Sequence, residues 1–149
     1  MTIKLKFLAS MCLLLALGGC ASGPAYNEYA GSIDPMLPLD GRIFVYRTSA
    51  LGAAVQPKVW LNDEVVGKAK PKGFFYLDRP AGTYKIAAST EVERSLTFTL
   101  NEGETKYVRL EVKMGAFVGH VKPVLVDAGV ARQELQKMKF TGEETVASR

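Results

Sequence analysis

The stretch 82–88, GTYKIAA, decides the fold, together with 95–100, SLTFTL, and 107–112, YVRLEV. In each stretch, every second side chain is apolar or aromatic and its neighbours are mostly polar. A repeat of two residues is typical of a β-strand with one buried face. A turn sequence precedes the first stretch, at 79–82, and another separates the second stretch from the third, at 101–103. The residues predicted to face the interior are Tyr84, Ile86, Ala88, Leu96, Phe98, Leu100, Val108, Leu110 and Val112.

Further strands are predicted on both sides of these three. Residues 42–49, RIFVYRTS, are rich in β-branched and aromatic types, and shorter runs follow at 59–62, 65–68, 74–77 and 124–126. Asp127 is placed to cap a short helix over 128–138, with one apolar stripe of Ala131, Leu135 and Met138. The fold class is therefore all-β. We expect an antiparallel sandwich or open barrel of about seven or eight short strands, with a short C-terminal helix.

The first twenty residues have a different character. Lys4 and Lys6 precede an apolar run at 7–17, and small residues follow it, which is the anatomy of a secretory signal. The run is too short for a permanent membrane span, which needs about 20 apolar residues. Leu17-Gly18-Gly19-Cys20 resembles the lipobox of bacterial lipoproteins. This implies a signal peptide over 1–19, removed on processing, and a lipid on Cys20. The alternative is an ordinary secretory signal with a chance cysteine.

The lipobox resemblance also implies a location. Bacterial lipoproteins with aspartate after the cysteine commonly stay in the inner membrane, and Ala21 stands there in this chain. By this analogy we expect lipid anchoring in the outer membrane, on its periplasmic face, with two or more acyl chains holding the protein firmly. We predict two partners, of which the membrane, contacted through this anchor, is the first. An envelope protein of unknown identity is the other.

Composition narrows the classes of function that the chain can have. The chain has 149 residues and a formal charge of +4, which falls to +2 when the segment with Lys4 and Lys6 is removed. A charge so small and so dispersed gives no argument for nucleic-acid binding. Cys12 leaves with the signal and Cys20 is acylated, so no disulfide is expected. Residues 20–40 contain three prolines and are predicted to be a flexible tether. Residues 41–140 are predicted to form the sandwich domain, and residues 141–149 are predicted to be a disordered tail.

The order of motifs from residue 41 is similar to that of a known family. GRIFVYR at 41–47 opens the domain, and a hairpin, VWLNDEVVG, follows at 59–67. GFFY at 73–76, PAGTYKI at 80–86 and GETKYV at 103–108 complete the succession. This resembles DUF2846, a bacterial lipoprotein family of unknown function, over about residues 41–138. PAGTYKI also resembles PEGA and transthyretin-like modules, which implies an Ig-like or transthyretin-like sandwich. The resemblance implies no functional residue other than Cys20.

Catalytic and metal-binding patterns are weak. His120 is the sole histidine, and a zinc site needs three or four ligands. The paired carboxylates at 63–64, 91 and 93, and 102 and 104 fall at predicted turns, where polar residues are ordinary. The sequence has no Gly-x-Ser-x-Gly motif and no Walker-type phosphate loop. We therefore predict that the protein is not an enzyme and has no cofactor and no metal.

Two segments are candidate interaction sites. Lys68, Lys70 and Lys72 form a short basic run, read either as a solvated loop or as a contact for anionic headgroups. Phe117 and Val118 lie between glycines, read either as a packed strand end or as an exposed apolar tip that meets a partner.

The function predicted from these features is a membrane-anchored, non-catalytic interaction module of the cell envelope. The alternative is a binder of a small envelope ligand such as a glycan, lipid or peptide. That function needs a cleft lined by aromatic residues such as Trp60, Phe74 or Tyr76. Trp60 itself is predicted to lie in the core.

Overall fold

Two β-sheets stack face to face in the computed structural model of the chain, which describes residues 21–89, 93–114 and 119–141. The strands are β1 (Asp40–Tyr46), β2 (Lys58–Leu61), β3 (Glu64–Lys68), β4 (Gly73–Pro80), β5 (Gly82–Ser89), β6 (Glu93–Leu100), β7 (Thr105–Met114), β8 (Gly119–Leu125) and β9 (Lys139–Phe140). The helices are α1 (Tyr26–Tyr29), which continues into a 3-10 turn (Ala30–Ser32), and α2 (Ala128–Leu135). The all-β sandwich with a short C-terminal helix is confirmed.

The strand order makes one sheet mixed. The first sheet runs β8-β7-β1-β4-β9 and the second runs β3-β2-β5-β6. β1 lies antiparallel to β4 but parallel to β7, and β4 lies parallel to β9. The expectation of a wholly antiparallel sandwich is therefore wrong for the first sheet. All four strands of the second sheet lie between β1 and β7 in the chain. A connection of that length permits two strands to pair in parallel.

The alternation in β5, β6 and β7 predicts their buried faces correctly. Ile86 and Leu100 are fully buried, as is Val108 in the other sheet. Tyr84, Leu96 and Val112 are partly buried and pack against the same core. β5 and β6 pair in register from Gly82 opposite Leu100 to Ser89 opposite Glu93. One apolar layer between the sheets therefore accounts for the period of two.

β8 begins at Gly119, earlier than the strand predicted at 124–126. Pro123 lies inside it, opposite Leu110 of β7. A proline interrupts a central strand because it lacks a backbone N–H, but β8 forms an edge of its sheet, where proline is tolerated. Its edge position explains why a strand extends through a residue that suggests a break.

The first sheet is buried on both faces, most clearly along β1. Ile43 and Val45 face the second sheet and are inaccessible to solvent. Phe44 and Tyr46 face the opposite way and are also buried, beneath α1 and α2. Since successive side chains point to opposite faces, a strand with no polar alternation is expected in a middle layer.

Residues 21–33, here called the N-terminal strap, cover part of that outer face. The Ala25 backbone forms a bridge with Lys139, and Pro24 O accepts a hydrogen bond from Phe140 N at 2.9 Å. The Tyr26 ring meets Phe74 edge-on with centroids 5.3 Å apart. The prediction of a flexible tether over residues 20–40 is therefore wrong for the strap, because backbone pairing with β9 and aromatic burial fix its position.

The helix α2 lies on the same face. Asp127 caps it by accepting a hydrogen bond from Gly129 N at 2.8 Å, as predicted. The predicted apolar stripe of Ala131, Leu135 and Met138 is buried. The helix is also tied by polar contacts, since Glu134 accepts from the Tyr46 hydroxyl and from Arg109, both at 2.7 Å.

An ion pair fixes the segment between the strap and β1. Arg42 donates two hydrogen bonds to the Asp78 carboxylate, both 2.7 Å long, and a third to Asp34 O. Its guanidinium also lies over the Tyr76 ring, 4.8 Å from the centroid. Arg42 thus holds residue 34 against the sheet, within the range predicted to be a tether.

Candidate functional site

The sandwich has two ends of unlike charge. One end, here called the acidic end, is formed by the start of β1, the end of β4 and the turns at 62–63 and 101–104. Its acidic side chains are Asp40, Asp63, Glu64, Asp78, Glu102 and Glu104. The opposite end, here called the basic end, is formed by the loops 47–57 and 69–72 and the ends of the strands that they join.

The predicted basic run forms a tight loop at the basic end. Ala69 N donates to Pro57 O, Lys70 N donates to Lys68 O, and Gly73 N donates to Lys70 O. Lys72 adopts a left-handed backbone with φ of 54°. Local backbone bonds and a bond to the neighbouring loop thus hold the loop 69–72 in one shape between β3 and β4.

The three lysines of the run do not form one uniform patch. Lys70 is half-buried and its Nζ donates to Thr141 O at 3.2 Å, whereas Lys68 and Lys72 are exposed. The structure adds two exposed lysines that sequence reasoning missed. Lys58 lies directly opposite Lys68 across β2 and β3, and Lys139 donates its backbone N–H to Lys72 O. The register of the β2–β3 hairpin is a signal that identifies Lys58, whereas nothing local predicts the two-residue strand β9.

The strap starts at this loop. Ala21 is buried and donates its N–H to Pro71 O at 3.2 Å. A methyl group added to Gly73 would lie 2.6 Å from Thr141 Cγ2 and 3.1 Å from Ala21 Cβ, so both ends of the described chain pack over this glycine. The predicted lipidation residue, Cys20, directly precedes Ala21 and lies outside the described residues. Phe117 and Val118 also lie outside them.

A buried arginine organises the second loop. Arg47 directly follows β1 and has 1% of its surface exposed, and its side chain donates to five backbone carbonyls. The accepting residues are Ser49, Leu51, Gly52, Val55 and Ala69. Burial lowers the pKa of the Arg47 guanidinium from its ordinary value, but an arginine stays charged at any physiological pH. Five carbonyl dipoles therefore take the place of a counter-ion.

Four carbonyls of this loop point toward Arg47, whereas the side chains of Leu51 and Val55 point outward. The loop 49–57, SALGAAVQP, has no charged residue. Leu51 is 51% exposed and Val55 is 38% exposed. Sequence reasoning missed this loop, because its exposure depends on where Arg47 places the backbone. The basic end therefore combines exposed lysines, exposed apolar side chains and the start of the strap.

The residues considered for catalysis lie apart. Glu64 pairs with Arg79, Glu104 with Lys106 and Glu93 with Lys85, which places the three acids in separate ion pairs. His120 is half-buried on the edge strand β8, opposite Lys113. Within residues 21–89, 93–114 and 119–141, no three His, Cys, Asp or Glu side chains are grouped to bind a metal ion. Nor does any helix in these ranges have the length and apolar character needed to cross a bilayer.

The aromatic residues proposed to line a ligand cleft are on different sheets. Trp60 is half-buried on the outer face of the second sheet, beside Ala87 and Val65. Phe74 is buried beneath the strap, on the first sheet, and Tyr76 is half-buried on the same face. The predicted core position of Trp60 is wrong, since its strand turns Val59 and Leu61 inward instead. These three rings do not form a common cleft.

Comparison with known proteins gives a family and a relative. The model of a family described as "Protein of unknown function (DUF2846)" matches residues 40–122. A protein of Haemophilus influenzae, described as uncharacterized, is 28% identical over 99 residues, which are 66% of this chain and 59% of the relative. The match thus covers less than two thirds of that relative's length. No solved structure matches the chain. Because the family model covers more than half of the sequence, from the start of β1 into β8, the chain belongs to the DUF2846 family.

Proposed function

We propose that the protein is a bacterial lipoprotein, held in the outer membrane by acyl groups on Cys20, with its sandwich domain on the periplasmic face. In this proposal the domain is a non-catalytic module that binds another protein of the envelope. The signal-like segment 1–19 and the lipobox-like residues 17–20 support the anchor. These features support a location for the protein and do not identify its partner.

The position of Ala21 is the observation that best supports the proposal. Consecutive Cα atoms lie about 3.8 Å apart, so an acylated Cys20 starts within one residue of the basic end. The Ala21 amide is bound to Pro71 O at that end, which carries exposed lysines. A lipid anchor at this point would set the basic end against the bilayer and turn the acidic end away from it.

A partner protein would then meet the acidic end. Leu37 and Leu39, just before β1, are 69% and 65% exposed. Leu39 has a positive φ of 75°, and its carbonyl accepts from Ala81 N, so the segment is held rather than loose. Large apolar side chains exposed on a fixed segment are typical of protein contacts.

Metabolic labelling tests the anchor. Cells expressing the full chain are grown with labelled palmitate, and the protein is recovered from separated inner and outer membranes. We expect label on the native chain, in the outer-membrane fraction, and no label on Cys20→Ser. A native chain that stays unlabelled, or that is recovered soluble, would refute lipid anchoring.

Site-specific photocrosslinking in cells tests the interaction. A photoreactive amino acid replaces Leu37, and in a matched control it replaces Thr97, which is exposed on the outer face of the second sheet. We expect one crosslinked species of defined mass from position 37 and none from position 97. The same pattern of species from both positions would contradict a specific contact at the acidic end.

A further inference from the structure

We propose that the domain docks onto the membrane by its basic end, with the loop 50–55 entering the lipid interface and nearby lysines contacting anionic phosphate headgroups. The occupant of this surface is a phospholipid bilayer. The inference rests on the lipid anchor proposed above, and it adds an orientation and a second contact that lipidation alone does not supply. The residues that contact the bilayer are Leu51, Val55, Lys58, Lys68, Lys72 and Lys139.

The loop 50–55, ALGAAV, has the composition expected of a segment that moves from water into the lipid interface. Exposed Leu51 and Val55 are the two large apolar side chains in a six-residue segment without charge. A backbone that enters lipid needs its polar groups satisfied, because a carbonyl with no hydrogen bond is costly there. Arg47 satisfies the carbonyls of Leu51, Gly52 and Val55 from inside the loop. The loop thus presents apolar side chains outward while Arg47 holds these carbonyls on its inner side.

The lysines lie around this loop. Lys58 lies three residues after Val55, at the start of β2, and Lys68 faces Lys58 in the β2–β3 register. Lys72 lies on the adjoining loop, which Arg47 ties to the loop 50–55 by donating to Ala69 O. The two loops and their charges therefore form one surface.

The acids are distributed in the way that docking requires. Six carboxylates lie at the acidic end, away from the proposed bilayer contact, and three of them are paired there with Arg42, Arg79 and Lys106. Three described acids nearer the basic end are also in ion pairs, since Glu93 is paired with Lys85 at 3.1 Å, and Glu111 and Glu134 are both paired with Arg109. The anchor position gives independent support, since Ala21 is bound to the loop that carries Lys72. Charge, apolar exposure and the start of the chain thus point to the same end.

Fluorescence of the natively lipidated full chain tests the orientation. Leu51→Cys is labelled with an environment-sensitive dye, and the protein is placed in vesicles of phosphatidylethanolamine and phosphatidylglycerol that carry nitroxide-labelled lipids. The matched control is Leu39→Cys, an exposed leucine at the acidic end. We expect a blue-shifted emission at position 51 and quenching several-fold stronger than at position 39. Equal quenching at both positions would overturn the proposal.

Charge variants test the lysine contact. In the triple variant Lys58→Gln, Lys68→Gln, Lys72→Gln, each lost charge is expected to weaken docking about fivefold, so the ratio of docked to undocked protein falls roughly a hundredfold. The dye at position 51 reports this change, and circular dichroism confirms that the variant is folded. A matched control is Lys106→Gln at the acidic end, which we expect to leave docking unchanged. Unaltered quenching in the triple variant would refute the headgroup contact.

The outcomes separate this inference from the proposed function. If Cys20 carries no lipid, the anchor itself fails. If Cys20 is acylated and the dye at position 51 stays in water, the anchor stands and docking is refuted. A dye that is shielded in native envelopes but exposed in pure lipid vesicles would show that a protein covers the loop, which also overturns the bilayer as its occupant.

Discussion

The Tyr29 ring stacks on Phe140, with centroids 3.9 Å apart and an angle of 13° between the rings. The contact joins the strap to β9, two segments from opposite ends of the described chain. Phe140 also meets Phe74 of β4 at 5.6 Å, so the stack continues into the first sheet. The strap is therefore part of the folded domain.

Loss of this stack is expected to loosen the strap. Tyr29→Ala should lower the free energy of unfolding by about 2 kcal/mol, and Phe140→Ala by about 3 kcal/mol. Because the rings are in contact, the two losses should not add, and the coupling energy should be about 0.5–1.5 kcal/mol. Urea unfolding of the single and double variants measures it. Ser32→Ala, at an exposed strap position, is the control, and strictly additive losses would contradict the contact.

Arg47 is expected to be essential to the loop 49–57. Arg47→Met keeps the length of the side chain but removes every donor, so the carbonyls of Ser49, Leu51, Val55 and Ala69 lose this partner, while Gly52 O keeps its bond from Val55 N. We expect a loss of about 3–5 kcal/mol in urea unfolding. Arg47→Lys should recover little, since a lysine has three donors and no planar fork.

Limited proteolysis adds a local measurement for Arg47. Cleavage within the loop 49–57 should accelerate in Arg47→Met before global unfolding does. The released carbonyls would hydrogen-bond to water, and the loop would open locally. A variant with the native unfolding midpoint and the native cleavage rate would show that the carbonyls do not need the guanidinium.

Glu104 is expected to link stability to pH. Lys106, at 2.6 Å, and the Asn101 amides lower the pKa of Glu104 from its ordinary value of 4.5. A carboxyl with a lowered pKa favours the folded state above its unfolded pKa, and that contribution is lost as the pH falls through the folded pKa. Glu104→Gln should therefore be less stable at neutral pH and lose less stability on acidification.

The measurement for Glu104 is urea unfolding at neutral pH and near pH 3. Glu102→Gln, an exposed position in the same turn, serves as the control and should follow the native pH profile. Parallel profiles for Glu104→Gln and the native chain would contradict the linkage.

Tyr46→Phe is expected to weaken the docking of α2. The substitution removes the donor to Glu134 Oε2, at a cost of about 1–2 kcal/mol. Burial, and then the bond to Glu134, raise the pKa of Tyr46, so its neutral form stabilises the fold and that stability is lost at alkaline pH. Thermal unfolding at neutral and alkaline pH should show a shallower alkaline decline for the variant. Equal declines in the stability of the variant and the native chain would show that a group other than Tyr46 causes the alkaline loss.

Much of the sandwich follows from local pattern. Strands such as β5 and β6 carry an apolar residue at every second position, and that pattern is sufficient because each has one buried face. The pattern fails where pairing is made between distant segments. Tyr26 and Tyr29 lie between prolines and look like linker residues, and they are fixed by β9, a strand of two residues with no periodicity to detect.

The candidate site was predictable only in part. The run of three lysines is visible in sequence, but the division between Lys70 and its neighbours depends on where Thr141 lies. The apolar loop 50–55 is unremarkable as a sequence of small residues. Its exposure follows from a single buried side chain, Arg47, whose environment is made by both loops of the basic end.

The meeting of Ala21 and Thr141 over Gly73 has a consequence for the connectivity of the fold. The described chain closes almost into a ring, so a cut within a turn is expected to leave the strand pairings intact. A circular permutant that joins residue 141 to residue 21 by a short linker, with new ends between Asn62 and Asp63, should keep both sheets. In that permutant an acyl group on the new first residue would lie at the acidic end, opposite to the position proposed above for the native anchor.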